Sequence, residues 1–287
     1  MTVEKEARDI QIIAIKEIMD NVRSKRFIFI GFIYFVLALL LAGIIVMEYG
    51  FMTDMYPGQS TPVDVLTLLN SFSFILMLLA VVIAADTISI EKRYRTIYQL
   101  LSKPVERRSV ILGKFTGCLA IMALLFMLSA LSALAIAAVF TGLYPTMANL
   151  GDVFTSIISM ILLFAVYIAL GILISAITKN PLVSIIIGVV AWLGLTFIDV
   201  LGNALGGLGT DFVGGREDLV STFDFYPLYA KLLVWVDPSS HNIVNQLLTG
   251  AGPVTNGLPI WANLVMLLVT LGVLLGASVI VFDRQDL

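Results

Sequence analysis

The side chains able to do chemistry are few in this 287-residue sequence, and they are scattered. Its one histidine, His241, follows Asp237 by four residues; the two could take up a proton or ligate a metal, and a structural histidine at a membrane interface would look the same. The one cysteine, Cys118, lies in an apolar segment, which excludes an intramolecular disulfide and reads as a small core residue. No H-E-x-x-H occurs, and Gly276-Ala277-Ser278-Val279 lacks the second glycine of a nucleophile elbow. With no G-x-x-x-x-G-K-[ST] either, the chain cannot cradle nucleotide phosphates by itself. No catalytic residue, metal ligand or cofactor is assigned to it, and an intramembrane enzyme is disfavoured.

The other chemically capable groups sit in or beside apolar stretches. An aspartate at a membrane-helix centre costs about 2.5–3.5 kcal/mol, so the expected places are edges. Asp86 closes the second apolar segment and Asp199 the fifth. They are candidate gate or hinge residues, and simple contact with headgroup water accounts for them equally. Asn70, Ser71, Ser73, Ser129 and Ser132 could bond between helices or line a passage.

One stretch concentrates charge. Asp86 to Lys114 holds seven of the 17 basic residues between two long apolar segments. Within it Ile90, Tyr94, Ile97, Tyr98 and Leu101 recur at helical spacing, with Glu91, Lys92, Arg95 and Gln99 largely on other faces. Pro104 then ends the pattern. Such a helix could press on a soluble partner and pass movement into the membrane. A basic interfacial helix resting on anionic lipid has the same pattern.

The elements that must position these groups follow from composition. At 59% hydrophobic residues, 13% charged and a mean hydropathy of +1.01, no globule could hide the apolar surface, so the chain is an all-α polytopic membrane protein. Six segments reach the roughly 20 residues a crossing needs: Phe27–Met47, Val65–Ala85, Phe115–Phe140, Val153–Thr178, Leu182–Val200 and Trp261–Phe282. Of the 17 basic residues, 15 fall on one side of that topology, which the positive-inside rule makes cytoplasmic, with both termini. The first span is too long for a signal-peptide core and no cleavage site follows it, so it reads as retained. The leader, residues 1–26, spaces Ile12, Ile15, Ile18, Met19 and Val22 as one apolar face, which predicts a helix along the cytoplasmic interface. The outer connection 201–259 is expected to form short amphipathic or re-entrant helices. The chain reads as one domain, 1–287: leader 1–26, spans one to five within 27–200, outer connection 201–259, and span six with its tail at 260–287.

The central run also resembles a known signature. Asp86-x-Ile88-x-x-Glu91-Lys92-x-x-x-Thr96-x-x-x-Leu100-Leu101-Ser102-x-Pro104, then Ile111-Leu112-Gly113-Lys114, resembles that of type-two ABC transporter permeases, and the six spans and closing Phe282-Asp-Arg-Gln-Asp-Leu287 fit the same family. Phe197-Ile-Asp199 and Asp237-Pro-Ser look like the subgroup containing the nitrous-oxide-reductase copper-maturation permease. The chain departs from the family by having Arg95 where Gly is frequent before the Thr, and Tyr98 where Glu is frequent after it. The resemblance implies a connecting helix in the leader and a coupling helix over Ile90–Leu101 that contacts a separate ABC ATPase subunit, which would hold the ATP and Mg. By the same resemblance the contact residues are Glu91, Lys92, Arg93, Tyr94, Arg95 and Tyr98, and two permeases, identical or different, join two ATPases in the lipid membrane. Export is the implied direction and nucleic acid is not a partner. A membrane anchor or signalling subunit with no cargo flux, or an ATP-independent channel or carrier, are the alternatives.

Overall fold

The computed structural model describes residues 3–52, 65–66, 69–70, 72–94, 106–142, 144, 147–210, 228–244 and 258–284. Every long element among them is a helix. The first, α1 (Val3–Arg23), is followed by α2 (Lys25–Met52), α3 (Ser73–Arg93), α4 (Arg107–Thr141), α5 (Met147–Ile177) and α6 (Pro181–Thr210). A short α7 (Leu228–Val236) leads into a single 3-10 turn at Pro238–His241, and α8 (Ile260–Asp283) comes last. Six of these, α2 to α6 and α8, contain spans long and apolar enough to cross a membrane, and in hydrocarbon a helix is the form that satisfies its own backbone.

Three span boundaries differ from the sequence expectation. The helix expected to stop at Ala85 continues to Arg93, so Asp86 lies inside α3 rather than at its end, and Ile90–Arg93 is its last turn rather than the start of a separate helix. Likewise α4 begins at Arg107, not Phe115, and carries Lys114 within it. The fifth span's helix also runs on past Asp199 to Thr210. Charge marked these places as ends in the sequence, but the helices continue because the charges find partners inside the protein.

The centre of the bundle is α3 against α5, both enclosed over most of their length, while α6 and α8 show most of their surface. Helices in lipid gain little from burying apolar surface against one another, so close packing must come from small residues. At Gly171 of α5 an added Cβ would sit 2.6 Å from the Ala84 Cβ and 2.9 Å from the Val81 carbonyl oxygen. Gly171→Val is therefore expected to force α3 and α5 apart at a cost of about 1–3 kcal/mol. A lowered melting temperature in detergent checks this; an unchanged one would mean that the crossing is looser than drawn.

The leader forms a helix as expected, and Ile12, Ile15, Met19 and Val22 are exposed along one side of it, available to lipid. A second side, Ile13 and Glu17, is buried and faces α4. Gly113 and Gly117 make that approach possible, since added Cβ atoms would lie 2.7 Å from the Cβ atoms of Ile13 and Glu17. At its far end α4 closes on Gly142, whose φ of 71° is the left-handed cap conformation.

Candidate functional site

Lys114 stands between those two glycines and is 1% exposed. Its Nζ lies 3.2 Å from Glu17 Oε2 and 3.1 Å from Glu91 Oε1, and donates to the Thr87 carbonyl at 3.0 Å. An ammonium has three donors, and these three acceptors match them. Lys16 Nζ adds a second cation 3.0 Å from the same Glu91 oxygen. Two lysines and two glutamates from α1, α3 and α4 thus form a neutral cluster, where an isolated charge would bear several kcal/mol of desolvation. Burial pushes the Glu17 carboxyl above the usual carboxylate range; Lys114 beside it opposes that rise and Glu91 adds to it. The Gly-Lys-Phe-Thr-Gly order explains the geometry: the glycines admit α1 closely enough for Glu17 to reach the lysine between them.

One turn deeper, hydroxyls from two neighbours engage the backbone of α3. Ser175 Oγ accepts the N–H groups of Ile88 at 2.9 Å and Ser89 at 3.0 Å. Ser184 Oγ donates to the Ala85 carbonyl, and Ser89 Oγ donates to that carbonyl as well, at 3.2 Å. Side chains that enter a helix's hydrogen-bond ladder mark places where it can bend. This one coincides with Asp86, which is half-buried.

The connection that leaves α3 and returns at α4 is tethered at both roots. Lys92 Nζ donates to the Ala176 carbonyl at the end of α5 and lies 6.0 Å from the Phe282 ring centroid in α8. Arg107, opening α4, donates to the last carbonyls of α8, Phe282 at 3.2 Å and Asp283 at 2.9 Å, where a cation also meets the negative end of the helix dipole. Of the residues expected to face an ATPase, Arg93 and Tyr94 are exposed at the end of α3, Lys92 is half-buried, and Glu91 is turned into the charge cluster. Arg95 and Tyr98, with the rest of the expected helix to Leu101, lie outside the described residues.

A second polar group lies toward the opposite face. Asp237, fully buried, accepts from Tyr167 Oη at 2.9 Å, from Ser239 N–H at 3.2 Å and from Ser239 Oγ. His241 is also buried, with Nδ1 2.9 Å from Asn263 Oδ1 and Nε2 3.0 Å from the Trp235 carbonyl. Both ring nitrogens are thereby engaged by the protein, and among the described residues no three of His, Cys, Asp or Glu come together as a metal site. Asp199 is half-buried and takes Asn203 Nδ2 at 3.2 Å. Cys118 is buried and unpaired, as its apolar surroundings suggested.

The sequence pattern does not mark Glu17, Ser175 or Tyr167; it sets Lys16 only on the polar side of the leader helix, and Lys114 only at the end of the charged stretch and within the signature. The readable signal was Gly113-x-x-x-Gly117, a spacing that brings two helices close, with a cation between the glycines. A family model described as ABC-2 family transporter protein matches residues 11–287. A comparison with curated proteins finds no match.

Proposed function

Since the chain belongs to the ABC-2 transporter family, we propose that it is the membrane permease subunit of an ATP-binding-cassette exporter, driven through the connection between α3 and α4 by a separate ATPase. The face bearing α1 is then cytoplasmic, in keeping with the 15 of 17 basic residues on that side. The partner holds the ATP and Mg, and two permeases with two ATPases complete the transporter.

The observation that carries this reading is the tethering of the connection's roots. Lys16, Glu17, Glu91 and Lys114 bind α3 and α4 to α1, while Lys92 and Arg107 bind them to α5 and α8. A push delivered to residues 95–105 would therefore move five helices together. Arg93 and Tyr94, exposed at the end of α3, suit direct contact with the ATPase, and Arg95 and Tyr98, next in the sequence, are assigned to the same contact by the family resemblance alone. Glu91 and Lys92 suit transmission instead, as both reach inward. Asp86, beside the hydroxyls of Ser175 and Ser184, is the proposed hinge, and the bundle would alternate between inward- and outward-facing states.

The test is a detergent pull-down of the tagged permease from its native host, with an ATPase assay of the eluate. Tyr94→Ala combined with Arg95→Ala is expected to lose most of the co-purifying ATPase while leaving the permease monodisperse. Undiminished association and undiminished coupled transport would overturn the contact assignment.

A further inference from the structure

Serines and threonines in these helices have a common habit: Ser129, Thr141, Thr155, Thr178, Thr270 and Ser278 each donate to the carbonyl four residues earlier, the buried Ser129 and Ser278 included. Ser156 and Ser159 of α5 do not. They are 1% and 0% exposed, and neither Oγ has a hydrogen-bond partner among the described residues. A buried hydroxyl left unsatisfied costs about 1–3 kcal/mol, and Thr155 next door shows that the local helix permits the usual bond. Tyr34 and Ser109 are also without such partners, but stand on separate helices. Ser156 and Ser159 are within one turn of each other, on the side of α5 that carries Met160.

That side meets other polar groups. Gly171 packed on Ala84, and Ser175 bonded to Ile88, set a register that puts Met160 level with Ser73 at the start of α3. There the Asn242 amide donates to Asn70 Oδ1 at 2.6 Å and to the Met160 sulfur at 3.1 Å, and Ser73 Oγ donates to Asn70 at 3.4 Å. Three chain segments thus bring uncharged hydrogen-bonding groups to one level. Asp237 is held elsewhere, by Tyr167 two turns further along α5.

We propose that Ser156 and Ser159 open onto a polar binding site in the outer half of the permease, which takes a neutral group able both to donate and to accept hydrogen bonds. None of the six residues at this level is charged, and the one acid of α5, Asp152, stands a turn before Ser156 at the helix start, so an ion level with Ser159 and Met160 would bear most of its desolvation cost. Water and the hydroxyl or amide of a cargo share the required chemistry. The site lies in the outer half on the permease reading, which sets the orientation.

The experiment places cysteine at Ser156, Ser159 and, as a back-bonded control, Ser129, each with Cys118→Ala, in the permease purified with its ATPase. The probe is the neutral reagent hydroxyethyl methanethiosulfonate, applied with and without ATP. S156C and S159C are expected to react at least an order of magnitude faster than S129C in one of the nucleotide states. Equal rates in both states, with ATPase association intact, would overturn the site; loss of association in the parent protein would instead overturn the permease reading. Where a cysteine variant does not fold, Ser156→Ala and Ser159→Ala decide: an occupied site predicts a lowered melting temperature, and an unchanged or raised one overturns it. Repeating the labelling in lipid extract from the native host separates the two sources, because protection identifies a lipid-borne group and unchanged labelling identifies water.

Discussion

Replacing Lys114 by methionine is expected to destabilise the protein by about 3–5 kcal/mol, the usual consequence of removing one partner from a buried ion pair. The side chain is enclosed, and its ammonium meets Glu17, Glu91 and the Thr87 carbonyl. Without it two glutamates at the α1–α3–α4 junction lose their shared buried cation, and half-exposed Lys16 is left beside Glu91. Denaturant or thermal unfolding in detergent reads the loss directly; a change below 1 kcal/mol would mean that Lys114 is not enclosed as described. Combining Lys114→Met with Glu17→Gln and Glu91→Gln removes charge on both sides and is expected to recover most of the stability. Coupled transport should stay impaired in that triple variant, since the electrostatic tether of α1 is gone.

Glu17→Gln alone is expected to be the mildest change in the cluster, because burial already favours its neutral form and the Lys114–Glu91 pair survives. The raised carboxyl also gives a pH signature. A group whose folded pKa exceeds its unfolded one favours the fold below the unfolded value and loses that contribution as pH rises through the folded value. Wild type should therefore lose stability across that window relative to E17Q, and equal slopes for the two proteins would contradict the assignment.

The second large effect is expected at Asp237. Its carboxylate is fully buried and gathers the Tyr167 hydroxyl with two donors of Ser239. Asp237→Ala strands those donors, and with hydrogen bonds to charged groups worth about 1.5–3 kcal/mol each, a loss of about 2–5 kcal/mol in unfolding free energy is expected. Tyr167→Phe removes a single donor and should cost less; Asp237→Asn, which can still accept from Tyr167, should fall between wild type and the alanine variant. If D237A unfolds like wild type, the tie between α5 and the 3-10 turn does not hold the fold.

These two sites show where the sequence was readable and where it was not. Six spans could be seen because a crossing needs about 20 apolar residues, and the leader because Ile12, Ile15, Met19 and Val22 share a helical face. The ends of α3 and α4 could not. Glu91 and Lys114 have the appearance of residues in water, and only their mutual approach, with Glu17, allows the helices to continue past them. Asp237-Pro-Ser reads locally as a capped turn, which it is, but the bond from Tyr167, 70 positions away, has no local trace. Ser156 and Ser159 read in the sequence like any other span serine, and only the structure shows that they lack a bond to the carbonyl four residues earlier.

The charge cluster also fixes an order of assembly during synthesis. Glu91 and Lys114 leave the ribosome within one helical hairpin and can pair as α3 and α4 insert. Glu17 precedes its lysine by 97 residues, so at about 5–20 residues per second the leader waits roughly 5–20 s for it. Through that interval the unpaired carboxylate would stay hydrated, while the exposed Ile12, Ile15, Met19 and Val22 would be free to meet the bilayer. Helix α1 consequently docks only after α4 has been made, and a chain stalled before Lys114 carries a leader not yet tied to the rest of the protein.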